Sequence, residues 1–310
     1  MPANFNGTLF LYSHGIRKGA NLPPIPVVAP TGYVVDYSPE VAPSAEVATS
    51  LLKQGFALAG AGVQAQGWNL TEQTYAALLL SQEAQMKFPK INKVVAWGNS
   101  LGALSSQALA EQYPGVVDAV GNMCPSDSGL AEITMAGDFL WGLKTFFDPT
   151  IKATGYSAGT AGYMEMLGDI QKTLGVIVAL KTAIAINQTS PTWPTTSTVP
   201  AAYQAIPVRS AILLLGLVSG VSTQSKTYDA SSGPAGDKET SFGLVLSPAL
   251  AVLENGAEAA ILAIAANYDM EIRAGGTIYD NSKTNYSARL GEDGDAFAAP
   301  LSGKTFTGYM

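Results

Sequence analysis

Histidine and cysteine are almost missing from this chain, which has one of each among 310 residues. The single cysteine, Cys124, excludes an intrachain disulfide framework and any zinc site built from several thiolates. We expect neither a metal nor a cofactor. The single histidine, His14, lies near the N-terminus, so the chain has no imidazole for a catalytic site that takes its histidine from a later segment.

Charge is also scarce, because Asp, Glu, Lys and Arg together make up 13% of the residues, against about 25% in an average soluble domain. The net charge is −7, and no basic run is longer than Arg17-Lys18. Such a chain repels phosphate backbones, which excludes nucleic acid as a partner. The low-charge, small-residue composition favours a secreted or periplasmic protein over a cytoplasmic one without deciding between them.

Long hydrophobic runs are lacking as well. The N-terminus has neither a basic n-region nor an apolar h-region, so it is not a signal peptide as it stands. The most apolar stretch, residues 211–221, has about half of the ~20 residues that a membrane-spanning helix needs. We expect no membrane span and predict a buried or cap helix there.

Residues 1–125 alternate between short apolar runs and amphipathic segments. This rhythm predicts an α/β core with a parallel sheet, because strands joined through helices run in the same direction. The predicted strands are residues 8–13, 56–62, 93–98 and 117–123, and the predicted helices are residues 45–54, 72–88 and 101–112.

The rhythm changes in residues 126–310, where helix-length apolar segments are separated by Gly-, Ser-, Thr- and Pro-rich linkers. These segments are too long for strands, and they predict a mainly helical cap or lid over the carboxyl ends of the strands. They comprise residues 140–147, 164–186, 211–221 and 242–266.

The strongest motif is Gly98-Asn99-Ser100-Leu101-Gly102, a G-x-S-x-G sequence between the third strand and the third helix. A serine in this position occupies a strained turn that exposes its Oγ, and the flanking glycines remove Cβ atoms that would clash there. The spacing predicts Ser100 as a nucleophile and the N–H of Leu101 as one oxyanion donor.

A second signal, His14-Gly15-Ile16, follows the first strand, where a loop can donate another oxyanion amide. We assign that donor to the backbone of Ile16 or Gly15. The preferred interpretation of His14 is structural, with its ring bonded to backbone and no imidazole in hydrogen-bond contact with Ser100. A catalytic His14, with Asp127 as its acid, is the alternative.

Residues 5–15 (FNGTLFLYSHG), 54–60 (QGFALAG) and 96–102 (AWGNSLG) resemble a group of bacterial α/β-hydrolases with long helical caps. The similarity covers most of residues 4–125 and recurs weakly at residues 271–290. It implies an α/β-hydrolase-like parallel sheet with a large helical cap, and a serine esterase or lipase. The chain departs from that group at Asn99, where the group usually has histidine.

The resemblance also implies a catalytic acid and a histidine on strands beyond the cap, and the chain has no histidine after Ser100. A serine without a base is a poor nucleophile near neutral pH. Three explanations stay open: the chain stops short of its final strands, a second chain supplies them, or the serine works without a triad or does not work. Asp127 and Asp269 are acid candidates, and each could equally be a solvated residue.

Two functions remain. The first is hydrolysis of a small lipophilic or aromatic carboxylic ester through an acyl-enzyme on Ser100, and the second is a catalytically impaired homologue that binds a ligand or is completed by another chain. Aromatic side chains could line the substrate pocket or fill the cap core; they are Trp68, Trp141, Phe146, Phe147 and Trp193. We interpret Glu271 and Arg273 as an exposed ion pair rather than a site pair.

Overall fold

The computed structural model describes residues 1–19, 21, 31–125, 129–187, 192–197, 205, 207–223, 248–286 and 288. The chain divides into two compact units, residues 1–129 and residues 130–310. Each unit is described by itself. The role of residues 126–310 as a cap stays a prediction.

The first unit is built on a sheet of four parallel strands in the part of the chain that the structure describes. In chain order the strands are β1 (Thr8–Ser13), β2 (Ala57–Gly60), β3 (Lys93–Asn99) and β4 (Ala119–Met123), and their order across the sheet is β2-β1-β3-β4. The predicted α/β class with a parallel sheet is confirmed.

In the described part of this unit, three helices cover the sheet: α1 (Ala45–Lys53), α2 (Leu70–Lys87) and α3 (Leu101–Gln112). One face of the sheet packs Leu9, Leu11 and Ala96 against α2 and α3. The other face packs Tyr12 and Trp97 against α1. Because successive strand residues point to opposite faces, Leu11 and Tyr12 enter different layers.

The strand boundaries differ from prediction where side chains or loops interrupt pairing. β4 begins two residues later than predicted, because the Asp118 carboxylate accepts the Val94 N–H at 2.8 Å in place of a backbone carbonyl. β2 ends at Gly60, where the backbone of Glu40 crosses so closely that an added Cβ would lie 1.6 Å from its carbonyl oxygen.

The second unit is helical in its described residues, with α4 (Gly129–Phe146), α5 (Gly159–Ile186), α6 (Val208–Ser219) and α7 (Pro248–Ala274). The first two helices begin earlier than their apolar segments indicate. The predicted segment 242–266 lies outside the described residues up to 247 and otherwise falls within α7.

Glycines allow these helices to approach closely. A Cβ at Gly142 would lie 2.2 Å from Leu215, one at Gly216 would lie 2.6 Å from Val252, and one at Gly256 would lie 2.0 Å from Phe139. Helix α7 has the length and composition of a membrane span, which the sequence prediction did not anticipate, yet 56% of the relevant stretch is buried, as in a core helix. It packs on α5 and α6.

Candidate active site

Ser100 occupies a sharp turn between β3 and α3, with φ 53° and ψ −123°. This positive-φ conformation is costly for a residue with a side chain, and the strained turn predicted for Ser100 is confirmed. The Ser100 N–H donates to Met123 O at 3.0 Å, and its carbonyl accepts from the Ala103 and Leu104 amides. No described side chain hydrogen-bonds to Oγ of this half-buried serine.

The two glycines of the motif are required by close backbone contacts. A Cβ at Gly98 would lie 2.4 Å from the carbonyl carbon of Gly102 and 2.6 Å from Ser13 O. A Cβ at Gly102 would lie 2.1 Å from Ser13 O and 2.5 Å from His14 O. Since backbone atoms cannot rotate away as a flexible side chain can, the end of β1 holds the start of α3 in place.

The loop that follows β1 lies directly against this turn. A Cβ at Gly15 would lie 3.5 Å from Ser100 Cβ and 3.2 Å from Asn99 Nδ2. Neither the Ile16 nor the Leu101 N–H has a hydrogen-bond acceptor among the described residues, and Leu101 is the first residue of α3, where helix amides are unpaired. The Leu101 amide, which follows Ser100 in the sequence, and the Ile16 amide, in the loop after β1, therefore have no acceptor among the described residues. Their oxyanion role stays a prediction.

His14 is 4% exposed, and its Nδ1 lies 2.6 Å from Gly15 O. We assign the proton to Nδ1, because a carbonyl can only accept. Burial lowers the pKa of His14, so the imidazole is neutral at pH 7. Its Nε2 is buried without a partner, and the prediction that the ring bonds to backbone and not to Ser100 is confirmed.

Tyr12 was missed by the sequence analysis, although it stands at the carboxyl end of β1, two residues before His14. Its hydroxyl donates to Asn99 Oδ1 at 2.5 Å. Burial, assisted by the charge of Glu40, raises the pKa of Tyr12 to about 12, so it remains a donor at neutral pH. The contact holds the side chain of Asn99, the residue that precedes the serine.

The other predicted site residues are described each within its own unit. Asp127 lies outside the described residues. Trp68 is half-buried in the first unit, just before α2. Trp141 and Phe146 are buried in the second unit, where Trp141 stacks on Tyr286 with ring centroids 4.5 Å apart. This burial favours a core role for both, and their place in a substrate pocket remains a prediction.

The predicted ion pair between Glu271 and Arg273 is wrong. Glu271 is buried and accepts hydrogen bonds from the Thr154 hydroxyl and, at 2.9 Å, from the Gly155 N–H. Arg273 pairs with Asp269 at 2.8 Å. Residues two apart on a helix point in different directions, whereas residues four apart face each other. Asp269 is accordingly a helix-surface partner of Arg273.

The described residues contain no group of three His, Cys, Asp or Glu side chains placed to hold a metal ion.

Comparison with known families gives a match over residues 11–240 to a model described as a tannase-like family of unknown function (DUF6351). No curated protein and no solved structure matches the chain.

Proposed function

The chain belongs to the tannase-like family of unknown function, and from this membership we propose that it is a serine hydrolase that cleaves a carboxylic ester through an acyl-enzyme on Ser100. The proposal includes an α/β-hydrolase relationship and a lipophilic or aromatic substrate. The apolar helices proposed as a cap support that substrate class, since apolar pockets select apolar groups.

The observation that carries the proposal is the backbone of Ser100. A serine at φ 53° and ψ −123° costs about 1–3 kcal/mol relative to a relaxed conformation, and such strain persists where the surroundings enforce it. Here they do so through the contacts of Gly98 and Gly102 with the end of β1. Strain of this kind is typical of a nucleophile held at the mouth of a sheet.

In the proposed reaction, Oγ of Ser100 forms a bond to the ester carbonyl carbon while its proton passes to a base. The amides of Leu101 and Ile16 bind the oxyanion, and loss of one such donor costs about 2.7–4 kcal/mol. The carbonyl re-forms, the bond to the alcohol breaks, and the base returns the proton to the departing alcohol. Water then hydrolyses the acyl-enzyme in the same manner.

A fluorophosphonate probe and a panel of aromatic and acyl esters test the proposal on the full chain. We expect the probe to attach to Ser100, ester turnover to follow, and Ser100→Ala to abolish both. Ser106→Ala is the matched control, because it removes another hydroxyl from α3, one that donates to Gly102 O and bonds no other described residue. Labelling that persists in Ser100→Ala would contradict the assignment of the nucleophile.

The alternative is a homologue that binds an ester or acid without turnover, or whose base comes from another polypeptide. It is favoured by one observation: no described side chain bonds to Ser100 Oγ, and the only histidine uses Nδ1 on Gly15 O. Saturable quenching of tryptophan fluorescence by an aromatic ester, with neither labelling nor product, would support the binder. Labelling without turnover would support the incomplete catalyst.

A further inference from the structure

Arg17 immediately follows Ile16, the residue whose amide is the proposed second oxyanion donor. Its side chain is 11% exposed, and its Nη1 donates to Asp36 O at 3.0 Å and to Ser38 O at 2.8 Å. Nη2 forms a 2.6 Å ion pair with Glu40 that lacks the alignment of a hydrogen bond. The Arg17 guanidinium therefore contacts a second chain segment at Asp36, Ser38 and Glu40.

That second segment, residues 33–40, makes further contacts with the residues that follow β1. The Lys18 ammonium lies 4.9 Å from the ring centroid of Tyr33, and the Val35 N–H donates to Asn21 Oδ1 at 2.8 Å. These contacts are exposed, and exposed charge contacts contribute little stability each. The Arg17 side chain is itself only 11% exposed, although its partners are exposed residues, and its bonds to two backbone carbonyls make it the most extensive link between the two segments.

The end of this segment lies against the end of β2, which makes it a support. Glu40 O occupies the space that a Cβ of Gly60 would take, and Tyr37 O lies 2.9 Å from the position of a Cβ on Gly62. Ala42, which follows, is buried with Tyr12 and Trp97. Arg17 thus ties the loop after β1 to a segment that crosses the carboxyl end of β2.

Ile16 does little to hold its own position, because its side chain is 42% exposed. On its N-terminal side, the loop is held by the contact of Gly15 with the serine turn. On its C-terminal side, Arg17 O accepts the Gly67 N–H at 2.9 Å, and the guanidinium makes the contacts described above.

We infer that Arg17 is a positioning residue, which sets the place of the Ile16 amide by clamping the loop to residues 33–40. The inference rests on the proposed function, because it gives the Ile16 amide an oxyanion to bind. Arginine suits the task and lysine does not, since a planar fork reaches two carbonyls and a carboxylate at once, whereas an ammonium is a single point charge.

The test compares the full chain with Arg17→Met, Arg17→Lys and Glu40→Gln, and with Lys87→Met as control. Lys87 forms an exposed ion pair with Glu83 on α2 in the same unit. For each protein, fluorophosphonate labelling of Ser100 gives the maximal rate and the half-saturating concentration separately. Amide hydrogen exchange of Gly67, whose N–H donates to Arg17 O, and of the strands reports loop order and folding independently of labelling.

We expect Arg17→Met to lower the maximal labelling rate by about 10- to 100-fold, below the roughly 10²–10³-fold cost of losing an oxyanion donor outright. The half-saturating concentration should change by less than about threefold, because the interaction is made in the transition state. Exchange of the Gly67 amide should quicken while the strands stay protected. Arg17→Lys should be intermediate, Glu40→Gln milder than either, and Lys87→Met unchanged.

Wild-type labelling together with an Arg17→Met rate within about twofold of it would overturn the inference. If wild type fails to label, the proposed function fails, and unchanged exchange of the Gly67 amide in Arg17→Met would separately overturn the clamp. If Arg17→Met does not fold, Arg17→Lys and Glu40→Gln decide: wild-type rates and exchange in both would overturn the inference, and graded losses in both would support it.

Discussion

The two compact units differ in the polar groups that they bury. In the described part of the first unit, the fully buried polar side chains are uncharged at neutral pH, with His14 kept neutral by burial. The second unit buries the carboxyl side chains of Asp138, Asp169 and Glu271. The two units therefore hold their irregular segments by different physical means.

In the first unit, backbone packed on backbone places the serine turn and the end of β2, and Arg17 adds side-chain contacts to the loop after β1. Gly98 and Gly102 meet the end of β1, and Gly60 meets the segment at Glu40, so each close approach depends on a missing side chain. Such contacts define positions sharply because neither partner can rotate away. They leave little tolerance for any residue larger than glycine.

In the second unit, geometry comes from carboxylates that accept hydrogen bonds from a loop. Asp169 accepts the Ala153 N–H at 2.7 Å and the Tyr156 hydroxyl at 2.8 Å, and Glu271 accepts from Thr154 and Gly155. Ala153 has φ 71°, a strained conformation for a residue with a side chain. Buried carboxylates hold that loop, and they make the unit sensitive to charge and pH.

The largest effect should come from Gly102→Ala, whose Cβ would lie 2.1 Å from a carbonyl oxygen. We expect a loss of more than about 4 kcal/mol in the free energy of unfolding of the first unit, read from hydrogen exchange of the strands in urea. Gly168→Ala is the control, because its Cβ meets nothing within 4 Å, and it should stabilise α5 by about 0.5–1 kcal/mol. Equal changes in the free energy of unfolding for the two variants would contradict the proposed dependence of the first unit on the missing side chain of Gly102.

Asp138→Ala should produce the next largest change, in the second unit. Asp138 Oδ1 accepts hydrogen bonds from the hydroxyls of Tyr279 and Tyr286, and the alanine leaves both phenols without this acceptor in a buried site. We expect a loss of about 2–5 kcal/mol in that unit's unfolding free energy. Asp138→Asn retains an Oδ1 acceptor and should cost less. An asparagine variant as unstable as the alanine variant would show that charge matters more than hydrogen bonding.

Ser100→Gly should stabilise the first unit by about 1 kcal/mol while abolishing fluorophosphonate labelling, because glycine relieves the positive-φ strain. Ser100→Ala removes the same hydroxyl and retains the strain, so its unfolding free energy should stay within about 0.5 kcal/mol of wild type. The two variants separate strain from chemistry. A glycine variant no more stable than the alanine variant would show that the turn stores no strain.

The smallest effects, and the most diagnostic, concern pH. Burial lowers the pKa of His14 from 6.5, so the unfolded state takes up a proton first and the first unit loses stability as pH falls below about 6.5. Burial raises the pKa of Glu271 from 4.5, so the second unit loses stability as pH rises above about 4.5. Urea unfolding followed by hydrogen exchange should show the opposite slopes. His14→Gln and Glu271→Gln should each flatten one of them, and slopes of the same sign would contradict the assignment.

Much of the first unit could be predicted from the sequence because its elements depend on local pattern. The bounds of β1 and α3 agree with prediction, since an apolar run ending at His14 and a helix beginning after a G-x-S-x-G motif are short-range signals. The bond from Tyr12 to Asn99 joins residues 87 positions apart. No local pattern contains it.

The second unit shows where sequence proximity misleads. Glu271 and Arg273 are two residues apart in the chain, but their side chains point in different directions on α7. The hydrogen-bond partners of Glu271 lie more than a hundred residues away. From their helical spacing, the aromatic side chains at positions 141 and 146 indicated a core more than a pocket, without excluding the pocket. Burial, which depends on what the other helices cover, supports the core.

By itself, the sequence determined the alternation of strands and helices, the parallel sheet and the strained serine turn, because hydrophobic period, glycine and turn chemistry act over a few residues. Only the tertiary structure decided which polar groups meet: Tyr12 with Asn99, Arg17 with residues 36–40, and Glu271 with the loop at Thr154. The physical reason is that such contacts form between segments far apart in the chain, and their geometry exists only once packing has brought those segments together.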